Sequence, residues 1–406
     1  MRWSLDHPLL LLMMMKKKKD DADDDDANAA QRRKAVQKEK GKDWLELFGD
    51  DVNPDDDFKI GIAFQNTKNK RKLKFYSNYY HSDVVIASPL GLKVATTNED
   101  DEEDVGVVDI LSSVEIVLAH QADVMIMQNW DHMAGVMSCL NQQPKKGTGI
   151  DFARVRNYLL SGQAAKWRQT IFVSRFSDPH IIAAFNRHTQ SIAGRVKIRR
   201  KVPSDEASIC DVMIKMRQIF QRISCDSIAT QGDSRLKYFK DKILPELLSS
   251  KQKHTLIYIP SYFDFVALRN LLMKNDRAQY HFVSVTEYAR VSEVSRGRAR
   301  FLQGRKRIML YTGRAHFFMR HHIKGAKHLI NYGLPEHAEF YPGLLNMLTQ
   351  NVGGDSEDDL LESESPVTCL NLFTKYEAQC LERIVGSKHS ERMLKNENKK
   401  VFLFNS

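Results

Sequence analysis

Few residues of this chain stand at spacings that could do chemistry. Three histidines, His316, His321 and His322, lie close to Arg314 and Arg320. A helical metal pair needs histidines at i and i+4 beside a carboxylate, and this cluster has neither, so it reads as a solvated basic helix and no metal is expected. The five cysteines, Cys139, Cys210, Cys225, Cys369 and Cys380, are odd in number, scattered and free of any C-x-x-C pair. That spacing excludes a disulfide framework or a zinc ribbon and reads as reduced thiols. Nucleotide phosphates are cradled by the amides of a glycine-rich loop that closes on Gly-Lys-Ser/Thr, and no such loop occurs. The nearest glycine cluster, Gly147-Thr-Gly149, runs into Ile-Asp-Phe and fails the dinucleotide fingerprint as well. Trp130, beside Asp131 and His132, could stack a base, but packing of its helix is the plainer role. The basic runs 68–74 (KNKRKLK) and 195–201 (RVKIRRK) suit nuclear import, phosphate contact, or solubility alone.

The elements that would hold such residues follow from composition and pattern. The chain has 406 residues, 42% hydrophobic and 28% charged, enough for two globular domains. Its formal net charge is +10. A basic surface suits an acidic partner, RNA being the commonest, although charge alone also fits a protein without that role. The apolar run 8–15 has only Arg2 ahead of it, no small-residue cleavage site, and a lysine run behind it. It is too short to span a membrane and wrongly flanked for secretion, and no other stretch is apolar enough, so no membrane partner is expected. Residues 1–43, with their lysine and aspartate blocks, read as a low-complexity charged arm. From 44 to 194, short apolar runs at 58–64, 83–88, 114–119 and 170–174 read as strands of a parallel sheet. Helical stretches at 127–140 and 179–188 lie between some of them. Residues 195–209 form a basic linker. A second strand–helix alternation fills 210–406: helices at 234–248, 263–274, 294–303 and near 376–385, and strands at 255–260, 281–285, 307–311, 328–332, 367–373 and 401–404. The acidic segment 353–364 reads as an exposed insertion. The expectation is α/β, two domains in tandem.

Local motifs narrow this. Val117-Leu-Ala-His-Gln-Ala-Asp123 resembles the strand-end acidic motif of DEAD-box RNA helicases. Where that family carries Asp-Glu-Ala-Asp, this chain carries His120, Gln121, Ala122 and Asp123. Arg168-Gln-Thr-Ile-Phe-Val-Ser174 resembles the strand leading into the helicase Ser-Ala-Thr motif, with Arg175 and Phe176 replacing its last two residues. His254-Thr-Leu-Ile-Tyr-Ile-Pro260, Ile308-Met-Leu-Tyr-Thr-Gly-Arg314 and His328-Leu-Ile-Asn-Tyr-Gly-Leu-Pro335 resemble successive strands of a helicase's second domain. A more specific resemblance rests on Asp83-Val-Val-Ile-Ala-Ser-Pro-Leu-Gly-Leu92, Gln128-Asn-Trp-Asp-His132, Pro260-Ser-Tyr-Phe-Asp-Phe265 and Ser292-Glu-Val-Ser-Arg-Gly-Arg298. These are similar to the digestive-organ-expansion-factor family, degenerate helicase-like proteins of the small-subunit processome associated with U3 small nucleolar RNA. The resemblance covers about residues 44–406. It implies two tandem RecA-like (P-loop NTPase/helicase-like) domains, the first incomplete at its N-terminus. It also implies a nucleolar location in the nucleus, and pre-rRNA, small nucleolar RNA and processome proteins as partners.

Set against that resemblance, the chemistry of ATP hydrolysis lacks its parts. The first carboxylate of the acidic motif normally holds the magnesium shell, and the second orients the attacking water. His120 is a poor partner for a hard, oxygen-preferring cation, Gln121 cannot take a proton, and Asp123 alone does not rebuild the pair. The stretch matching the helicase arginine-finger helix reads Phe340-Tyr-Pro-Gly-Leu-Leu-Asn-Met, without a basic residue. The expectation is therefore a pseudo-helicase scaffold supporting 18S rRNA maturation and 40S biogenesis, with no catalytic residues, no cofactor and no small-molecule substrate. The competing expectation is an active ATP-dependent RNA helicase. Candidate RNA contacts, from charge and position, are Lys197, Arg199, Arg200, Lys201, Arg296, Arg298 and Arg314.

Overall fold

The computed structural model describes residues 9–12, 26–49, 57–67, 70–97, 111–143, 153, 155–249, 254–276, 278, 281–348, 367–396 and 398–405. The chain divides into two compact units, residues 1–27 with 48–199, and residues 28–47 with 200–406.

The first unit is built on β1 (Leu9–Leu12), β2 (Lys59–Thr67), β3 (Lys70–Phe75), β4 (Val84–Ala87), β5 (Ile116–Ala119) and β6 (Gln169–Phe172). They pair in the order β3-β2-β4-β1-β5-β6. The last four strands of that order are parallel, and β2 with β3 adds an antiparallel hairpin to the β4 edge. The helices Pro89–Thr97 and Ala122–Cys139 pack on the parallel part. Leu92, Ala95, Met133, Val136 and Met137 close a core with Val85, Ala87, Val117 and Ala119.

Three expectations need correction here. The charged arm does not stay outside the fold. Leu9–Leu12 forms a strand between β4 and β5, Leu10 standing opposite both Val85 and Val117. An argument from length excludes a membrane span, but a four-residue apolar run is long enough for a strand flanked on both sides. Asp26–Lys40 is helical, as its alanines and straight-chain residues favour, and residues 28–47 fold with the second unit. There Trp44 is buried and donates its Nε1–H to the Phe318 carbonyl (3.1 Å), while Asp43 meets Arg320 at 2.8 Å. Composition treated this stretch as isolated, and one tryptophan with a receiving surface is enough to dock it. The strand expected at 58–64 is not a parallel one buried on both faces: β2 is antiparallel and Phe64 is exposed. Most of the basic run 68–74 is the strand β3, which its lysines concealed.

The second unit has β7 (Arg217–Arg222), β8 (Thr255–Ile259), β9 (Phe282–Val285), β10 (Ile308–Thr312), β11 (His328–Asn331), β12 (Thr368–Phe373) and β13 (Val401–Asn405). Their order is β13-β7-β12-β11-β8-β10-β9, parallel except for β13. Every residue of β8 and β10 is buried. Their alternation sends Leu256, Tyr258, Met309 and Tyr311 to one core, and Ile257, Ile259, Ile308 and Leu310 to the other. This is the RecA-like plan, a largely parallel sheet covered on both faces. Across β7, β12 and β11 runs a buried polar ladder. Asn331 Nδ2 donates to Asn371 Oδ1 (2.6 Å), Asn371 Nδ2 to the Tyr341 hydroxyl (3.2 Å), and that hydroxyl to Gln218 Oε1 (2.6 Å).

The helix expected at 234–248 is three pieces, Gln231–Tyr238, a π-turn at Phe239–Ile243 and Leu244–Ser249. Pro245 has no N–H to return to the preceding turn, and a π-turn absorbs that break. The acidic segment 353–364 lies outside the described residues. No helix among the described residues is long and apolar enough to cross a membrane.

Candidate functional site

The strand-end motif and the Ser174 motif, with Asp123 and Ser174 51 residues apart in sequence, meet at the C-terminal ends of β5 and β6. Gln121 adopts the left-handed conformation (φ 57°) just ahead of the Ala122–Cys139 helix, and the Ala122 amide donates to the Val173 carbonyl at 3.0 Å. This stitch turns Asp123 inward, to 1% exposure. Its Oδ1 accepts from the Arg175 amide (3.2 Å) and lies 3.4 Å from the Ser174 hydroxyl, whose closer acceptor is the Phe176 carbonyl at 2.7 Å. Arg175 Nε stands 4.0 Å from Asp123 Oδ2, so the residue that replaces the second letter of the Ser-Ala-Thr motif supplies a counter-charge. At the first turn of its helix the carboxylate also faces the positive end of the helix dipole. Asp123 is thus a structural carboxylate joining two strand ends. His120 and Gln121, half-buried at the strand tip, bring no second carboxylate. No group of three or more His, Cys, Asp or Glu among the described residues could hold a metal ion.

The Gln128–His132 motif marks a break in the same helix. Asn129 leaves helical geometry (φ −160°, ψ 102°), its Oδ1 accepts from the Asp131 amide (3.1 Å) as an N-cap, and its Nδ2 meets His132 Nε2 at 3.1 Å. Trp130 is half-buried against the core, its ring 6.5 Å from that of His180. It packs.

In the second unit the C-terminal ends of the strands are tied by a buried ion triad that sequence reasoning missed. Arg235, 4% exposed, donates to Asp264 Oδ2 and to Glu377 Oε2, both at 2.7 Å. Burial alone would lower the arginine pKa; the Glu377 and Asp264 carboxylates outweigh it, and the guanidinium is held above its ordinary range. Glu377 also accepts from the Leu334 and Thr374 amides (3.3 and 2.8 Å), so one carboxylate pins the loops after β11 and β12. Asp264, in the first turn of the helix Tyr262–Lys274, pins the loop after β8. Gly333 is closely packed there: a Cβ would meet Pro260 Cγ at 3.0 Å and Arg235 Nη1 at 3.3 Å. The available signal was a single arginine on an ordinary polar helix, with its acids 29 and 142 residues away.

On the same rim lie Phe263 (86% exposed) and Tyr288, whose ring is 5.4 Å from that of Tyr262. Arg314 lies 3.4 Å from the Tyr288 hydroxyl and 3.7 Å from Glu287 Oε1. The expected solvated histidine helix is corrected. Gly313–Met319 buries His316, whose Nδ1 lies 3.2 Å from the Tyr311 hydroxyl. Burial, with Arg320, His321 and His337 nearby, holds its pKa well below the ordinary value.

The seven basic candidates divide between the two units. Lys197, in the first unit, donates to Asn186 Oδ1 at 2.7 Å, and Arg199 is exposed. In the second unit Arg200 pairs with Glu206, Lys201 is exposed, and Arg296 bonds its own helix at the Ser292 carbonyl while remaining exposed. Arg298, two residues on and so on another face, donates inward to the His322 carbonyl at 2.6 Å. Arg314 has Glu287 as counter-charge. The Phe340–Asn346 helix, where an arginine-finger helix is expected by resemblance, is largely buried.

Known proteins resemble the chain along nearly all of its length. A family model described as "UTP25, NTP hydrolase-like domain" matches residues 10–196, and one described as "Utp25, C-terminal domain" matches residues 208–404. The U3 small nucleolar RNA-associated protein 25 homologs of Xenopus tropicalis and Homo sapiens are each 39% identical over 352 residues, covering 87% of this chain and 43% and 44% of the relatives. The U3 small nucleolar RNA-associated protein 25 of Podospora anserina is 38% identical over 371 residues, covering 90% of this chain and 54% of that protein. The chain spans about half the length of the curated relatives it matches. The matches agree with the resemblance drawn from the motifs.

Proposed function

The chain belongs to the UTP25 family, and we propose from that premise that it is a helicase-like scaffold of the small-subunit processome that does not hydrolyse ATP. It holds RNA and neighbouring proteins while pre-rRNA is processed toward 18S rRNA and the 40S subunit. The relatives' names, which tie them to U3 small nucleolar RNA, support the setting. One observation carries the non-hydrolysing reading: Asp123, the acidic motif's single carboxylate, is buried and engaged with the Arg175 amide. A magnesium shell and an attacking water each need a carboxylate at the strand tip, where His120 and Gln121 stand instead. The absence of basic residues from Phe340–Asn346 points the same way. RNA contact falls to the exposed members of the basic set, Lys197, Arg199, Arg200, Lys201 and Arg296, with Arg298 and Arg314 acting mainly through their intramolecular partners. The protein works in the nucleolus with pre-rRNA, small nucleolar RNA and processome proteins.

The test is direct. The purified chain should crosslink to a pre-rRNA fragment and release no phosphate from magnesium–ATP with or without that RNA. RNA-stimulated turnover that disappears in a folded Asp123→Asn variant would establish the active-helicase reading instead. A tagged chain excluded from nucleoli would remove the assigned location.

A further inference from the structure

Among the described residues, the outermost strand of the first sheet is exposed on both faces over residues 72–75 and unpaired along one edge. β3 pairs only with β2 among the described residues. Residues opposite one another share a face, so Phe64 stands with Leu73, and Ile62 with Phe75; Gln65 with Lys72 and Ala63 with Lys74 point the other way. Phe64, Leu73 and Phe75 are 51%, 55% and 56% exposed, and Lys72 and Lys74 are exposed on the reverse face. Over residues 72–75 the strand β3 is therefore apolar on one side and lysine-bearing on the other, and both sides are exposed among the described residues.

Which backbone groups face outward can be worked out. Ile62 O accepts from the Asp83 amide (2.9 Å) and the Phe64 amide donates to Asp83 Oδ2 (2.6 Å), so even-numbered residues of β2 turn their polar groups toward β4. Alternation then turns odd-numbered residues of β2 toward β3. Through the register, their partners Lys72 and Lys74 are the β3 residues bonded to β2, and Leu73 and Phe75 present their N–H and C=O groups to the open edge.

We propose that this edge is a docking strand for an extended segment of another protein whose residues alternate acidic with apolar. Such a strand extends the sheet by bonding to Leu73 and Phe75, sets its apolar side chains beside those of Leu73 and Phe75, which continue the face of Phe64, and sets its carboxylates beside Lys72 and Lys74. Lysines on an edge strand also guard against unwanted pairing, and here that guard is selective. A second copy of β3 would bring lysine against lysine, whereas an acidic strand is attracted. A single-stranded RNA fits less well, because its phosphates and bases would need opposite faces of one ribbon. The proposal does not depend on the RNA role assigned above.

The test uses the full chain and a short fluorescein-labelled peptide alternating glutamate with valine, followed by anisotropy. The alternating peptide should bind, and its scrambled counterpart should not. Leu73→Pro removes an outward N–H while sparing the β2 ladder, as an edge strand tolerates, and should weaken binding by about tenfold or more. Lys72→Glu with Lys74→Glu should weaken it similarly and admit a lysine–valine peptide in exchange. If Leu73→Pro unfolds the hairpin by circular dichroism, the charge-reversed pair decides alone. Equal binding by the parent and the charge-reversed pair, equal binding of the scrambled peptide, or a short RNA taken up where the peptide is not, overturns the proposal.

Discussion

Replacing Arg235 with methionine tests how the second unit holds its strand ends together. The change keeps side-chain length and apolar bulk and removes the cation. Asp264 and Glu377, whose side chains are 16% and 14% exposed, then face each other with no counter-charge between them. Removing one partner of a buried pair costs about 3–5 kcal/mol, because the remaining charge stays desolvated. Loss of the guanidinium from above the Tyr332 ring, 5.6 Å away, adds to this, though the terms are not independent. In a unit of this size each kcal/mol moves the midpoint by about 2–4 °C, so the second unit should melt roughly 6–20 °C lower. A chain of two units does not unfold as one transition. The loss is therefore best read by hydrogen exchange of β8 and β12, beside calorimetry. Adding Asp264→Asn and Glu377→Gln to the Arg235→Met chain should recover much of the loss, since the uncompensated charges are gone. A loss below about 1 kcal/mol for Arg235→Met, the scale of an exposed ion pair, would refute the view that this triad anchors the strand ends.

The other expectations are briefer. Asp123→Ala should destabilise the first unit by about 1–3 kcal/mol in thermal unfolding, and Asp123→Asn by less because its amide oxygen can still accept from Arg175; an unchanged midpoint for Asp123→Ala would remove its structural role. For His316, the unfolded state takes up a proton near pH 6.5 and the folded state, with its lowered pKa, does not. The unfolded chain binds more protons, so stability is full above about pH 6.5 and falls by up to about 1.4 kcal/mol per unit below it. His316→Phe should flatten that slope by about one proton's worth, with a remainder from His188 and His321, whose pKa values burial also lowers; an unchanged slope counts against a neutral buried His316. Lys201→Glu with Arg296→Glu should weaken single-stranded RNA binding and reduce the salt slope by about 0.7 per lost contact. Unchanged affinity and slope would clear these two residues of RNA contact.

The central strands of the second unit, β8, β10 and β11, were legible because they are buried on both faces, whereas β7 (Arg217–Arg222), with an arginine at each end, was not. Runs such as Thr255–Ile259 and Ile308–Thr312 are uninterrupted by charged residues, and helix 179–188 announces itself with an Asp178 cap and Pro179. What failed shares one physical cause, the dependence of a segment on a partner distant in sequence. Leu9–Leu12 is too short to read alone and needs β4 and β5 to become a strand. β3 hides behind its lysines because an edge strand has no buried face to demand apolar alternation. His316 sits among charged residues in sequence and among Tyr311, Phe340 and Tyr258 in space. Of the candidate site, the acidic motif and the Ser174 motif were both found in sequence, but that they meet, and that Arg175 contributes its amide and its charge, follows only from the way β5 and β6 lie side by side.

That meeting separates two roles which a strand-end acidic motif can combine. A carboxylate at position 123 serves the fold: it satisfies the amide beyond β6 and fixes the first turn of a helix, and neither task involves a nucleotide. Positions 120 and 121 stand at the tip of β5, before the helix begins, and their side chains make none of the strand pairings. A chain can therefore carry histidine and glutamine there and keep every backbone contact of the sheet. The same division holds in the second unit. There the Arg235 triad keeps the loops after β8, β11 and β12 in register, while the Phe340–Asn346 helix, without an arginine to extend toward a phosphate, is given over to core packing. The contacts that hold these strand ends together, Asp123 in the first unit and the Arg235 triad in the second, are made by side chains other than those at positions 120, 121 and 340–346, so the frame does not depend on the groups a nucleotide chemistry would need there.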